Sequence, residues 1–139
     1  METLLINTGV VTYNLNDCCT VSFNPTDSAF AQRLFEAFSI LDKKQQDYRA
    51  ADEQLSEGAD VFRLAMERDG EMREIINGVF GQDICTPLFG PVNVYALADG
   101  LPLWANLMLA VIDKMDEAIT KERTSTNPRI EKYTKKYHK

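Results

Sequence analysis

Residues 18–30 read CCTVSFNPTDSAF, and the fold turns on a change of period inside them. Up to Phe23 the apolar positions alternate. Cys19, Val21 and Phe23 share one face while Thr20 and Ser22 take the other, the two-residue repeat of a half-buried strand. From Phe30 onward apolar residues recur at steps of three and four, the repeat of a helix. Pro25 marks the change, because it pushes Asn24 out of helical angles, and Thr26 or Asp27 can then serve as N-cap. The chain leaves a sheet and enters a helix at this corner.

Working back from it, LLI, the turn signal NTG, VVTYNL and the turn signal ND predict a small antiparallel β segment over residues 1–25, of two or three strands. Such a sheet needs helices packed on it to be stable. Working forward, no Pro or Gly interrupts the chain from Ser28 to about Gln54. Phe30, Leu34, Phe38, Leu41, Tyr48 and Leu55 make the stripe of one long amphipathic helix, with Gln45 and Asp52 as polar breaks in it. Gly58 is expected to end or kink that helix. A second helix follows, with Val61, Phe62, Ala65, Met66, Met72, Ile75, Ile76, Val79 and Phe80 on its apolar side and Gly81 placed for a left-handed C-cap.

Residues 82–92 read as loop, and Asn93 as the cap of a short helix VYALAD that stops at Gly100. Pro102 suits the first position of a final helix running to about Arg123. That helix begins apolar nearly all round, at Leu101, Leu103, Trp104, Leu107, Met108, Val111 and Ile112. It is therefore expected to be the central buried element, with Trp104 and Leu107 in the core. The fold class expected is α+β, mainly α: a small N-terminal antiparallel β segment, then three to four helices. One domain covers residues 1–123, β over 1–25 and helical over 26–123, and residues 124–139 form a basic tail.

Length and composition agree with one globular domain: 139 residues, 45% hydrophobic and 26% charged. The charge is uneven. The last 20 residues carry a net +5, against −11 for the remainder, so an acidic body repels nucleic acid and anionic membranes and any nucleic-acid contact belongs to the tail. The N-terminus lacks the basic and long apolar regions of a signal peptide, and the most apolar run, Leu101–Ile112, is too short to span a bilayer. Three cysteines with adjacent Cys18 and Cys19, no zinc spacing and a single histidine, His138, read as reduced thiols in a cytosol.

Candidate chemistry is sparse. VFGQDICTPLFG at 79–90 repeats an apolar-Phe-Gly triplet, but Gly81 and Gly90 stand nine apart with no basic residue between, which fits helix ends better than a phosphate loop. Glu67 with Glu71, and Asp113 with Asp116 and Glu117, sit beside Arg68, Arg73, Lys114 and Lys121, as on solvated helix faces. With one terminal histidine no nucleophilic triad can be built, and Asp17 beside Cys18 opposes a low thiol pKa. No catalytic, cofactor or metal site is expected. The tail RIEKYTKKYHK, a short helix or a loose end, mixes bases and aromatics and could touch single-stranded nucleic acid or an acidic protein surface. The aromatic-rich long helix either fills one core or turns a second face to a partner, through Phe35, Ala37 or Ile40 off the main stripe; Phe35, Phe38 and Tyr48 are the candidate partner-contact residues.

The order of these pieces, with FNPTD at 23–27, the VFG…LFG pair and ALADGLP at 96–102, resembles a family of small tail assembly chaperones of long-tailed phages and prophages, mainly of Gram-positive bacteria. The resemblance covers most of the chain. It implies a non-enzymatic protein of the host cytoplasm, absent from the finished virion, that binds the long helical tape measure protein and helps deliver the major tail protein. A translational frameshift near the end of such genes would give a longer form. A virion structural component is the alternative within the same setting, and a nucleic-acid-binding regulator acting through the tail is the alternative outside it. The long stripe also allows a homo-oligomer.

Overall fold

The computed structural model describes residues 1–52 and 59–137. The expected ending of the long helix at Gly58, its stripe position Leu55, and His138 lie outside the described residues. The protein is α+β and mainly helical, with a two-stranded antiparallel sheet near the N-terminus.

Strands β1 (Val11–Leu15) and β2 (Cys19–Phe23) pair with Val11 opposite Phe23 and Leu15 opposite Cys19. Asn16 and Asp17 turn the hairpin at positive φ, a conformation that Asn and Asp tolerate better than most residues. The sheet starts at Val11, so the expected strand at Leu4–Ile6 does not form: residues 1–10 belong to no element. A row of rings couples the hairpin to the helices. Tyr13 stacks on Phe23 at 4.9 Å between ring centres, Phe23 on Phe30 at 4.3 Å, and Phe30 meets Phe80 at 6.0 Å.

The corner after β2 is held by its own polar side chains. Asn24 Oδ1 accepts from the Thr26 amide and hydroxyl, both at 2.8 Å, and Asp27 Oδ1 accepts from the Ala29 amide at 3.0 Å, so Asp27 is the cap. Helix α1 (Ser28–Asp52) buries Phe30, Leu34, Ala37 and Leu41, one stripe at steps of three and four. Ala37 therefore belongs to the core and not to an outer face. Helix α2 (Ala59–Phe80) packs on α1, buries Met72, Ile76 and Val79 in the shared core and ends at Gly81, whose φ of +69° is the left-handed stop expected from the sequence.

Two local expectations are corrected. Residues 85–89 are not loop but a single helical turn, α3 (Cys85–Phe89). Asn77 on α2 reaches over to accept from the Ile84 and Cys85 amides, and Asp83 caps the turn through the Thr86 amide. The short helix VYALAD does not form. Asp99 and Gly100 both take positive φ and close a small hairpin of β3 (Leu97–Ala98) on β4 (Leu101–Pro102), the geometry that an Asp-Gly pair favours. Helix α4 (Leu103–Thr124) starts one residue later than expected, with Pro102 as its cap residue, and buries Trp104, Ala105, Leu107, Met108, Val111 and Met115. Trp104 and Leu107 are core residues, as expected. Residues 129–137 form a fifth helix, α5 (Arg129–Tyr137), with no buried residue.

Candidate partner-binding surface

Polar groups that interrupt the apolar stripes turn out to be partners of buried ones. Gln45 accepts from the Trp104 indole N–H at 3.1 Å, and Asp52 receives the buried Arg68 guanidinium at 2.7 Å. Arg68 is therefore not on a solvated face. It lies over the Tyr48 ring at 4.4 Å, a cation–π contact, while the Tyr48 hydroxyl donates to Glu71 at 2.9 Å. Burial, reinforced by that hydrogen bond, pushes the Tyr48 phenol up to about 12. The same bond and one from Lys44 hold the Glu71 carboxyl below its usual value.

A second polar cluster straps the chain between α3 and β3 onto α2. Arg73 donates to Asp69 at 2.9 Å and to the carbonyls of Gly90 and Val92 at 2.8 and 2.7 Å. Asp69 in turn accepts from the Val94 amide at 2.8 Å. Sequence reasoning missed this strap, because the carbonyls it serves lie about twenty residues beyond the charged pair and carry no side-chain signal.

These arrangements hold structure together. Among the described residues no group of three or more His, Cys, Asp or Glu is placed to hold a metal ion, and no helix is long and apolar enough to cross a membrane. All three thiols are free, with Cys18 exposed. Burial raises Cys19 and lifts Cys85 to about 12, so neither is an activated nucleophile.

The three candidate contact residues part company. Phe35 is 48% exposed, whereas Phe38 packs edge-on against Trp104 at 5.4 Å and Tyr48 is held by Arg68 and Glu71. Phe35 and Ile40 are both exposed but stand roughly 140° apart around α1 at 3.6 residues per turn, so they do not make one face. The exposed apolar side chains instead gather elsewhere. Phe62 and Met66, one turn apart on α2 and expected on its apolar side, are each 76% exposed. Leu4, Leu5 and Ile6 form an uncovered arm at the N-terminus, and Ile130, Tyr133 and Tyr137 lie along α5. No protein-family model, curated protein or solved structure matches the chain.

Proposed function

We propose that this chain is a non-enzymatic phage tail assembly chaperone, which holds the tape measure protein soluble and brings the major tail protein to it. The observation that carries the reading is the Phe62–Met66 pair, two large apolar side chains one helical turn apart that the fold leaves uncovered. Such a pair meets the i, i+4 ridge of a partner helix, and Met adapts its shape to irregular apolar surfaces. Phe35, exposed on α1, is a separate apolar side chain available for contact. The acidic body keeps a loaded complex dispersed. The resemblance in FNPTD, VFG…LFG and ALADGLP points the same way, and it concerns the scaffold: in this fold those residues make the strand-to-helix corner, the α2 stop and the β3–β4 turn.

Co-expression with the longest open reading frame just downstream in the source genome tests the reading. The long chain is expected to stay soluble and to co-purify with this protein. A Phe62→Asp/Met66→Asp variant is expected to lose capture with an unchanged melting temperature. Precipitation of the long chain despite abundant folded partner overturns the proposal.

A further inference from the structure

We infer that the N-terminal arm of one copy inserts into an apolar groove on a second copy, joining two chains by reciprocal exchange. The groove, of about 630 Å³, runs between the β1–β2 hairpin, α3 and α4. Leu15, Phe89, Leu103, Leu107 and Ala110 line it. Tyr13, Asn14, Val21 and Phe23 also border it, so it lies against the Tyr13–Val21 face of the hairpin and reaches the edge of β1. That edge is open: in its sheet β1 pairs with β2 only. An extended apolar segment laid there finds both side-chain cover and main-chain partners.

The arm supplies such a segment. Leu4, Leu5 and Ile6 are 81%, 94% and 78% exposed, three consecutive large apolar side chains with almost no cover from their own chain. Its root is held at the β2–α1 corner. Asn24 Nδ2 donates to the Thr8 carbonyl at 2.9 Å, Asn7 Oδ1 accepts from the Gly9 amide at 2.9 Å, and Gly9 sits at φ +71°. A Cβ at Gly9 would come 2.6 Å from Asn24 Nδ2, so the bend and the Asn24 contact require glycine. The cleft beside the root lies between β1, the β2–α1 corner and the C-terminal half of α4. It mixes apolar Val11, Pro25 and Ala118 with charged Lys121 and Glu122 and shares Tyr13 and Lys114 with the groove. An apolar arm that its own chain leaves uncovered, on a molecule that also carries an apolar groove, calls for a second copy.

The area is sufficient. Burying three Leu/Ile side chains removes about 300 Å² of arm surface, and the groove loses as much; two reciprocal contacts then bury about 1,200 Å², the lower bound for a specific interface. A two-fold axis satisfies both contacts at once and closes the assembly.

Sedimentation velocity across a concentration series tests this with the full chain. The wild-type protein is expected to dimerise, and Leu4→Asp/Ile6→Asp to weaken dimerisation by roughly a hundredfold with no change in the melting temperature taken at dilution where both proteins are monomeric. Ala110→Glu, an exposed position on α4, is expected to do the same from the groove side. Mixing these two variants leaves one intact arm and one intact groove, and is expected to restore part of the dimer. A benzophenone amino acid at position 5 is expected to crosslink on irradiation to the 103–110 segment in a band of twice the chain mass. A monomeric wild type, a dimer that survives the arm variant, or a crosslink confined to the monomer band overturns the inference. The chaperone reading stands or falls separately, on capture of the tape measure chain.

Discussion

Replacing Gln45 by Leu removes one hydrogen-bonding group from a position that looks suited to an apolar residue, yet the structure requires it to destabilise the protein. Trp104 is 2% exposed, and its indole N–H has its partner in the Gln45 carboxamide at 3.1 Å. Leucine keeps the stem and its packing but leaves a donor buried without an acceptor, at a cost of about 1–3 kcal/mol. Trp104→Phe removes the donor and leaves a partial void beside Phe38; Trp104→Ala empties the site and is expected to cost about 3–5 kcal/mol. The informative comparison is Gln45→Leu in a Trp104→Phe background. With no donor left to satisfy, the second substitution should cost little, so the two single losses exceed the double loss by about 1 kcal/mol. Urea unfolding followed by far-ultraviolet circular dichroism measures all four proteins. A neutral Gln45→Leu, strictly additive substitutions, or a Trp104→Ala loss below about 1 kcal/mol would refute the reasoning.

Arg73→Met frees Asp69 and the Gly90 and Val92 carbonyls together and is expected to cost about 2–3 kcal/mol, with amide exchange across residues 90–94 rising before the rest of the domain. Hydrogen-exchange mass spectrometry on that peptide checks it. Of the three thiols, Cys18 should react with a disulfide reagent in the native state at mildly alkaline pH, Cys19 more slowly, and Cys85 only on unfolding, as the reagent's absorbance time course will show. Tyr48 keeps its proton more tightly folded than unfolded. The stability this confers is present below pH 10 and is lost as the pH rises to about 12, so the advantage of wild type over Tyr48→Phe should shrink across that interval in denaturant melts. Glu71 has the opposite sign. Its depressed pKa contributes above the unfolded value of 4.5 and is lost as the pH falls through the folded one, so Glu71→Gln should differ from wild type less at acid pH than at neutral pH.

Periodicity carried the reading wherever side chains alternate in or out of one core. The β2 strand, the α1 stripe, the Gly81 stop and the buried start of α4 were all legible in apolar spacing and in one glycine. The arm went astray because three apolar residues in a row are compatible with a strand, and pairing, which they lack, is what makes one. At 94–102 a capping signal at Asn93 suggested a helix, but Asp99-Gly100 prefers a hairpin turn and the flanking pairs Leu97-Ala98 and Leu101-Pro102 complete it. α3 depends on Asn77, a cap donated from another helix, and nothing in local sequence announces it. Arg68 was misplaced for the reason that charge implies exposure until an aromatic ring and a carboxylate cover it. At the candidate surface, spacing assigned Phe62 and Met66 to the core side of α2. They point elsewhere because the buried line of that helix runs through Arg68, Met72, Ile76 and Val79.

The residues that carry the family resemblance and the residues left uncovered belong to different physical classes, and this separates two kinds of perturbation. FNPTD, VFG…LFG and ALADGLP set chain reversals through side-chain caps and positive-φ positions, and the first of them also holds the root of the uncovered arm. Asn24 is the plainest instance. One side chain closes the corner that starts α1 and grips Thr8 at the root of the arm, so the shape of the core and the direction of Leu4–Ile6 are fixed together. Phe62, Met66 and the arm itself contribute little to folding, since exposed side chains lose almost no cover when the chain unfolds. Changes at the reversals must therefore alter stability and surface geometry at once, whereas changes at the uncovered residues alter association alone. On the proposed chaperone reading, that division lets the contact surface change without disturbing the scaffold that presents it.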